Sequence, residues 1–451
     1  MSPTRVRELL KEMGVRPSRS LGQNFLCDGN VAGWIVDQLE VQKHDLVVEV
    51  GPGLGALTEH LVGKVRRLVL VELDRRLAER LREHYDGDDG VEVIGADATE
   101  VDLRAYFSEQ PVKMIGNLPY SSGGEIIRCF LRQPTPVSRA VLMLQKEVGE
   151  RLRAVPGTKS YGVLSLRVQS EWEVESLKVV GPELFFPKPE VDSAVIRLDV
   201  RAPDAFPPFD RTLFDRLVRQ GFSQRRKQLK KLVAEEAADP WEELTGEMGV
   251  AETVRGEDLE LAQWVTLTNL LDDHPQKGLH HSGAAEEVFD VVNDEDEVVG
   301  QEKRSVVHAE GLKHRAVHIF VFNKAGDLYL QKRTAVKDVH PNRWDSSAAG
   351  HVDSGEGYDE AAGREVEEEL GIQGELTALG KISPCADTGW EFVQLYRLEH
   401  EGRGMRLSAR EIVFGVYVPV RVVAEWVNRR PQDFATGFTA CWDLYCGSGT
   451  N

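Results

Sequence analysis

Residues Leu46 to Gly55 read LVVEVGPGLG. A run of strand-forming residues passes directly into glycines at alternate positions, 51, 53 and 55. Glycine lets the backbone turn sharply and lets a ligand approach the main chain closely after a first strand. Three more short aliphatic runs follow, LVLVE at 68–72, VEVI at 91–94 and VKMI at 112–115, with helix-like stretches at 56–63 and 75–84 between them. Strands alternating with helices predict an α/β fold, a parallel sheet with helices on both faces. Further strand-like runs lie at 140–144 and 194–199. From 211 to 271 apolar residues recur at three- and four-residue spacing, which predicts a small helical domain.

The strand ends carry the chemistry. Glu72 closes the second strand, about twenty residues past the glycine turn, where a carboxylate can accept both hydrogens of a ribose diol. Asp97, in GADA, closes the third. A glycine-rich turn alone is as well explained by a tight turn, and an acidic strand end by solvation. Asn117-Leu118-Pro119-Tyr120 after the fourth strand discriminates. An adenine amino group has two N–H donors and a weakly nucleophilic nitrogen. An Asn side-chain oxygen and a backbone carbonyl held by the proline can accept both hydrogens. The nitrogen then becomes tetrahedral, with its lone pair aimed at a sulfonium methyl, while the Tyr ring stacks on an unstacked base. Positioning and electrostatics suffice, with no covalent intermediate.

Bulk properties bound the rest. At 451 residues the chain exceeds one ordinary core and predicts two or three domains. Its 41% hydrophobic and 29% charged content is that of a globular protein. No apolar run approaches a bilayer span, and MSPTRVRELLKEM lacks the core of a signal peptide, so a cytoplasmic chain with no membrane partner is expected. The five cysteines are scattered and form neither a metal-ligand nor a disulfide framework. Net charge is -19, so contact with nucleic acid must come from a local patch. Gln224-Arg225-Arg226-Lys227 with Lys230-Lys231 is such a patch, on a helix-like segment; the bland reading is a solvated helix face.

The strings LGQNFL (21–26), EVGPGLGALT, VELD (71–74), GADA, GNLPY, MLQKEV (143–148), FFPKPEVDSAV (185–195) and FSQRRKQLKK (222–231) together resemble the small-subunit ribosomal RNA adenine dimethyltransferases, over residues 19–272. The resemblance implies a Rossmann-like domain with a small C-terminal helical subdomain, and S-adenosylmethionine as donor. It implies as substrate two adjacent adenosines in a hairpin near the 3′ end of 16S rRNA, within a small ribosomal subunit precursor, each methylated twice at N6. By the same resemblance Gln23, Asn24, Leu26, Gly51, Gly53, Glu72, Asp97 and Asn117 line the donor site. Asn117, Leu118, Pro119 and Tyr120 hold the base, with Phe185 near it, and residues 224–231 contact RNA. One departure is Ser121-Ser122-Gly123-Gly124, where the family usually has Asn-Ile after NLPY; two glycines loosen the helix start there. The rival readings are a methylase of large-subunit rRNA and a non-catalytic assembly factor.

After residues 273–285, which lose periodicity and read as a linker, a second α/β unit begins near 286. Strand-like 317–323 and 327–333 flank a turn at Lys324-Ala325-Gly326. Residues 350–372 read GHVDSGEGYDEAAGREVEEELGI. In a helix over 359–370, Glu365, Glu368 and Glu369 share one face. Three adjacent carboxylates call for a cation, and oxygen ligands suit Mg²⁺ or Mn²⁺. Such an ion polarises a diphosphate and activates water. Arg364 is placed to pair with Glu356, and the Gly350 carbonyl to complete the metal shell.

This string fills the Nudix pattern G-x5-E-x7-R-E-U-x-E-E-x-G-U, with U aliphatic, and residues 286–440 resemble Nudix hydrolases, an α/β/α sandwich. Glu368 is the expected catalytic glutamate and a diphosphate-containing small molecule the expected partner. KHRAVHIFVFN, LQKRT and HPNRWDSSAAGH resemble the branch near isopentenyl-diphosphate isomerases. Ala349 stands where those isomerases carry a catalytic cysteine, so hydrolysis is preferred over isomerisation. The same resemblance makes His314 and His318 candidate metal ligands, against the bland reading of structural histidines near a strand, and Glu411 a candidate for the further acidic metal ligand or base that several hydrolases carry there. A nucleotide-binding module is the alternative. The expected layout is 1–200 methyltransferase, 201–272 helical RNA-binding subdomain, 273–285 linker and 286–451 Nudix domain.

Overall fold

The computed structural model describes residues 1–18, 21–109, 111–120, 122–233, 239–274 and 287–447. Residues 275–285 of the expected linker, and Ser121, lie outside them. Backbone contacts divide the chain into two compact units, Met1–Arg201 with Arg255–Leu261, and Ala202–Val254 with Ala262–Asn451.

The first unit is built on a seven-stranded sheet. Its strands are β1 (Leu46–Val50), β2 (Arg67–Val71), β3 (Val91–Ile94), β4 (Val112–Asn117), β5 (Val137–Gln145), β6 (Trp172–Val180) and β7 (Ser193–Val200), in the order β3-β2-β1-β4-β5-β7-β6. The five from β3 to β5 are parallel, and β7 runs antiparallel to both its neighbours. Every residue of β1 is buried. Val48 and Val50 pack with Met114 and Ile126 on one face, Val47 with Ile35 and Leu61 on the other. Two-sided burial is why these strands read as unbroken aliphatic runs. The chain leaves β1 in one direction and returns to β4 on its other side, which opens a crevice at their carboxyl ends.

β6 was not anticipated. Its sequence, WEVESLKVV, is edge-like: only Trp172 and Val180 are buried, and the charges between them give no strand signal. The helix expected over 56–63 is shorter, Thr58–Leu61.

The second unit holds the helices Arg211–Ser223, Lys230–Val233, Trp241–Met248 and Leu261–Leu271, the last lying almost wholly in this unit. A hairpin, β8 (Val288–Val292) with β9 (Val298–Lys303), precedes its sheet. That sheet contains β10 (His314–Phe322), β11 (Leu328–Arg333), β12 (Trp344–Asp345), β13 (Ala348–His351), β14 (Thr377–Ile382), β15 (Glu391–Glu399) and β16 (Ile412–Val418). The central order is β12-β11-β10-β15-β14, with β13 on β10 and β16 on β11. Val317, Ile319 and Val321 of β10 pack with Ala362 and Val366 of the helix Tyr358–Leu370. On the opposite face Phe320 meets Phe438 and Trp442 of the helix Thr436–Gly447. Alternate β10 residues thus serve two helical layers, the arrangement of an α/β/α sandwich.

Candidate active sites

The crevice of the first unit is a cavity of about 210 Å³. Gln23, Asn24, Leu26, Gly51, Gly53, Glu72, Asp97, Asn117, Leu118, Pro119 and Tyr120 all line it. Gly51 and Gly53 have φ of +69° and +59°, a region that favours glycine, and a Cβ on Gly53 would meet the Phe25 ring at 3.2 Å. Glu72 Oε2 accepts from Gly53 N at 3.0 Å and Oε1 from Asp74 N at 2.9 Å. Burial raises this carboxyl above its ordinary value, and the two N–H donors oppose the rise. Asp97 Oδ1 accepts from the backbone N–H and the hydroxyl of Thr99, at 2.8 and 2.7 Å, which fixes the turn after β3.

The segment 21–26 lies on the NLPY turn. A Cβ on Gly22 would fall 3.1 Å from Tyr120 N and from the Pro119 side chain. Asn117 Nδ2 donates to the Asn24 carbonyl at 2.9 Å, and Gln23 Nε2 donates to Asp74 Oδ2 at 3.1 Å. The amide of Asn117 is therefore oriented, its nitrogen toward the wall and its oxygen left to accept. Tyr120 is held by a 2.6 Å hydrogen bond between its hydroxyl and Ser193 Oγ on β7. The Pro119 carbonyl accepts from Gly123 N at 2.9 Å, so it helps begin the next helix.

Phe185 is placed elsewhere. It pairs with Leu26 in a two-residue antiparallel ladder and sits in the core with Met143 and Val195, outside the residues that line the cavity. The cation run is helical only in part: Arg211–Ser223 ends before it, Gln224 leaves helical geometry, Lys227 N closes a turn on Gln224 O at 2.8 Å, and Lys230 and Lys231 begin the helix Lys230–Val233. Gln224, Arg226, Lys227, Lys230 and Lys231 are exposed; Arg225 is half-buried, 5.8 Å over the Phe222 ring. Leu73 and Glu49 are among the lining residues that the sequence did not single out. Leu73, 49% exposed, follows the signalled Glu72, and Glu49 is wholly buried, accepting from Thr58 Oγ1 at 2.8 Å.

A model of the ribosomal RNA adenine dimethylase family matches residues 15–273, and a NUDIX domain model matches 312–433. The chain belongs to the ribosomal RNA adenine dimethylase family. The Ribosomal RNA small subunit methyltransferase A of Bacillus mycoides (strain KBAB4) is 38% identical over 284 residues, 60% of this chain and 97% of that protein. Among solved structures, a dimethyladenosine transferase from Plasmodium falciparum is 23% identical over 54% of this chain and 95% of its own, with a TM-score of 0.47. A Deinococcus radiodurans protein is 28% identical over 36% of this chain and 98% of its own, with a TM-score of 0.31. The family member here is a methyltransferase joined to a NUDIX domain. Among the described residues no helix is long and apolar enough to cross a membrane.

The NUDIX half has its own cavity, of about 890 Å³, lined by Gly350, Arg364, Glu365, Glu368, Glu369 and Glu411 among others. The helix Tyr358–Leu370 carries the three glutamates. Glu365 and Glu369 are largely buried, and that burial raises both carboxyls above their ordinary range; the Glu368 side chain is 38% exposed. Glu369 Oε2 accepts from Gln331 Nε2 at 3.1 Å and Ala349 N at 3.2 Å. Arg364 clamps Glu356 with two bonds of 3.1 and 2.9 Å, and donates to Glu365 at 2.6 Å and the His351 carbonyl at 3.0 Å. A Cβ on Gly350 would lie 2.1 Å from Glu365 Cδ, so any side chain there would displace the Glu365 carboxyl. Buried carboxylates gathered on one face, with a glycine cradle beside them, fit a hard divalent cation.

A second cluster lies on the same cavity. Ring nitrogens of His308, His314 and His351 come within 4.8 Å of one another. β15 runs parallel to β10 and sets Glu391 opposite His314, while antiparallel β13 brings His351 opposite Ala316. Glu391 Oε1 lies 3.2 Å from His351 Nε2 and 3.3 Å from His314 Nε2, and its pairing with these rings holds it well below the usual carboxylate range despite burial. The His314 Nε2 atom is buried with no well-aligned hydrogen-bond partner. Three imidazoles and a carboxylate fit a borderline-soft divalent ion. His318 stands apart from this cluster: its Nδ1 meets Ser346 Oγ at 2.7 Å inside the protein.

Proposed function

We propose that the first half transfers methyl groups from S-adenosylmethionine to N6 of two adjacent adenosines in the 3′-terminal hairpin of 16S rRNA, acting on a small-subunit precursor. The observation that carries this is the Asn117 amide, fixed by Asn24 at the cavity edge. Its Oδ1 accepts one hydrogen of the adenine amino group. The Leu118 carbonyl accepts the other, since Pro119's own is engaged with Gly123. The Tyr120 ring, tethered to Ser193, stacks on the base. Glu72 takes the donor's ribose hydroxyls, and Gln23, Asn24, Leu26, Gly51, Gly53 and Asp97 wall it in. The helical segment 201–272 and its exposed cations hold the RNA backbone. Incubating the chain and labelled S-adenosylmethionine with subunits lacking these methyls tests the assignment; binding without label transfer would favour an assembly factor, and labelling of large-subunit rRNA the rival methylase.

We infer that the NUDIX half hydrolyses a diphosphate-containing small molecule. Glu365, Glu369 and Glu411 would hold Mg²⁺ or Mn²⁺ with the Gly350 carbonyl, and the part-exposed Glu368 would orient the attacking water. When bound, the ion supplies Lewis acidity and lowers the pKa of water. His308, His314, His351 and Glu391 hold a second ion. Ala349 lines the cavity with no thiol, which favours hydrolysis over isomerisation. A panel of nucleoside and isoprenoid diphosphates, run with the wild type and Glu368→Gln, tests this; release of phosphate by the wild type alone is expected, and no turnover by either would favour a binding module.

A further inference from the structure

Lys337 sits in the loop between β11 and β12, whose backbone is held from several sides. Arg333 donates to the Val339 carbonyl through Nε and an Nη at 3.2 and 2.9 Å, and to Asp345 Oδ2 at 2.8 Å. Thr334 donates through N to the Glu411 carbonyl at 3.0 Å and through Oγ1 to the Arg410 carbonyl at 2.9 Å. His340 and Asn342 adopt φ of +50° and +57°, uncommon outside glycine, and complete a tight loop. With its backbone fixed, Lys337 can choose a partner only through its side chain.

That side chain enters the NUDIX cavity and makes an ion pair with Glu411. The two side chains are only 21% and 16% exposed. The carboxylates of Glu369 and Glu365 also act on this ammonium. The acidic centre thus contains an ammonium among three largely buried carboxylates.

We infer that Lys337 is a built-in counter-ion of this centre, which competes with a divalent cation for Glu411 and so sets the affinity of the site for metal. This rests on the Nudix reading of the cavity. A carboxylate recruited to an ion must first release its lysine. In a poorly solvated site, separating such a pair is costly and subtracts directly from metal binding. The same pair keeps the buried carboxylates compensated when no ion is bound.

Calorimetric titration of the full chain with Mg²⁺ tests this, because the histidine cluster offers that hard ion mainly nitrogen. Lys337→Gln should bind Mg²⁺ about tenfold more tightly than the wild type. Lys337→Arg, which keeps the charge, should stay near the wild type. Equal or weaker binding by Lys337→Gln overturns the inference, as does equally tightened binding by Lys337→Arg. If the wild type binds Mg²⁺ and only these differences fail, the Nudix reading stands. No Mg²⁺ uptake by any of the three proteins overturns both.

Discussion

Asn117 donates its side-chain N–H to the backbone carbonyl of Asn24, 93 residues earlier in the chain, at 2.9 Å. One hydrogen bond thereby orients the side-chain oxygen and closes the wall of the crevice cavity. Asn117→Ala should lower methyl transfer by about a hundredfold, a magnitude typical of losing one preorganised polar contact to a reacting group. S-adenosylmethionine affinity, measured by calorimetry, should change much less.

In the proposed assignment Glu72 serves the donor and not the base. Glu72→Gln keeps the shape but removes the charge that strengthens hydrogen bonds to ribose hydroxyls, worth about 1.5–3 kcal/mol. Donor affinity should fall at least tenfold. Because burial raises the Glu72 carboxyl, wild-type affinity should also weaken as acid protonates it, and this pH dependence should vanish in the variant.

Glu49 gives a stability signature of opposite use. Burial pushes its carboxyl up to about 8 from an ordinary 4.5. The folded state therefore holds a proton that the unfolded chain gives up. Its contribution to stability is complete below pH 4.5 and is lost as pH rises through about 8. Glu49→Gln, which cannot ionise, should unfold at a higher temperature than the wild type above pH 8, with the gap closing toward acid.

Gly350 can be tested as a cradle. Gly350→Ala places a methyl where the Glu365 carboxyl lies, 2.1 Å from its Cδ. Hydrolysis and Mg²⁺ affinity should fall as far as in Glu365→Gln, while the circular-dichroism spectrum is kept.

Metal analysis addresses the histidine cluster. The chain purified without chelator should carry one equivalent of Zn²⁺ or Mn²⁺. His351→Ala should lose it and His318→Ala should retain it, since His318 is bonded to Ser346.

The sequence exposed what lies at strand ends and in fixed spacings. Glu72, Asp97 and NLPY are legible because a parallel sheet delivers its carboxyl ends to one crevice, and the three glutamates because helical spacing alone puts them on one face. The histidine cluster is not legible this way. Its members come from a short helix and three strands, and only the β10–β15 and β10–β13 registers join them. His318 is as conspicuous in the sequence as His314, yet His314 opens β10 opposite Glu391, while His318 lies four residues on, opposite Leu395 and bonded to Ser346. β6 was hidden by its charged, solvent-facing residues. The run 224–231 has a helical composition but is interrupted at Gln224, whose non-helical backbone ends the preceding helix. Phe185 sits beside the right strings, but its ladder with Leu26 turns the ring into the core.

The most direct test of the whole assignment is transfer of labelled methyl groups from S-adenosylmethionine to small subunits that lack the 3′-hairpin methyls, with wild type and Asn117→Ala side by side. The account predicts label on N6 of the two adjacent adenosines with the wild type and almost none with the variant. Equal labelling by both proteins, or stable binding of the wild type to those subunits with no label transferred, would contradict it.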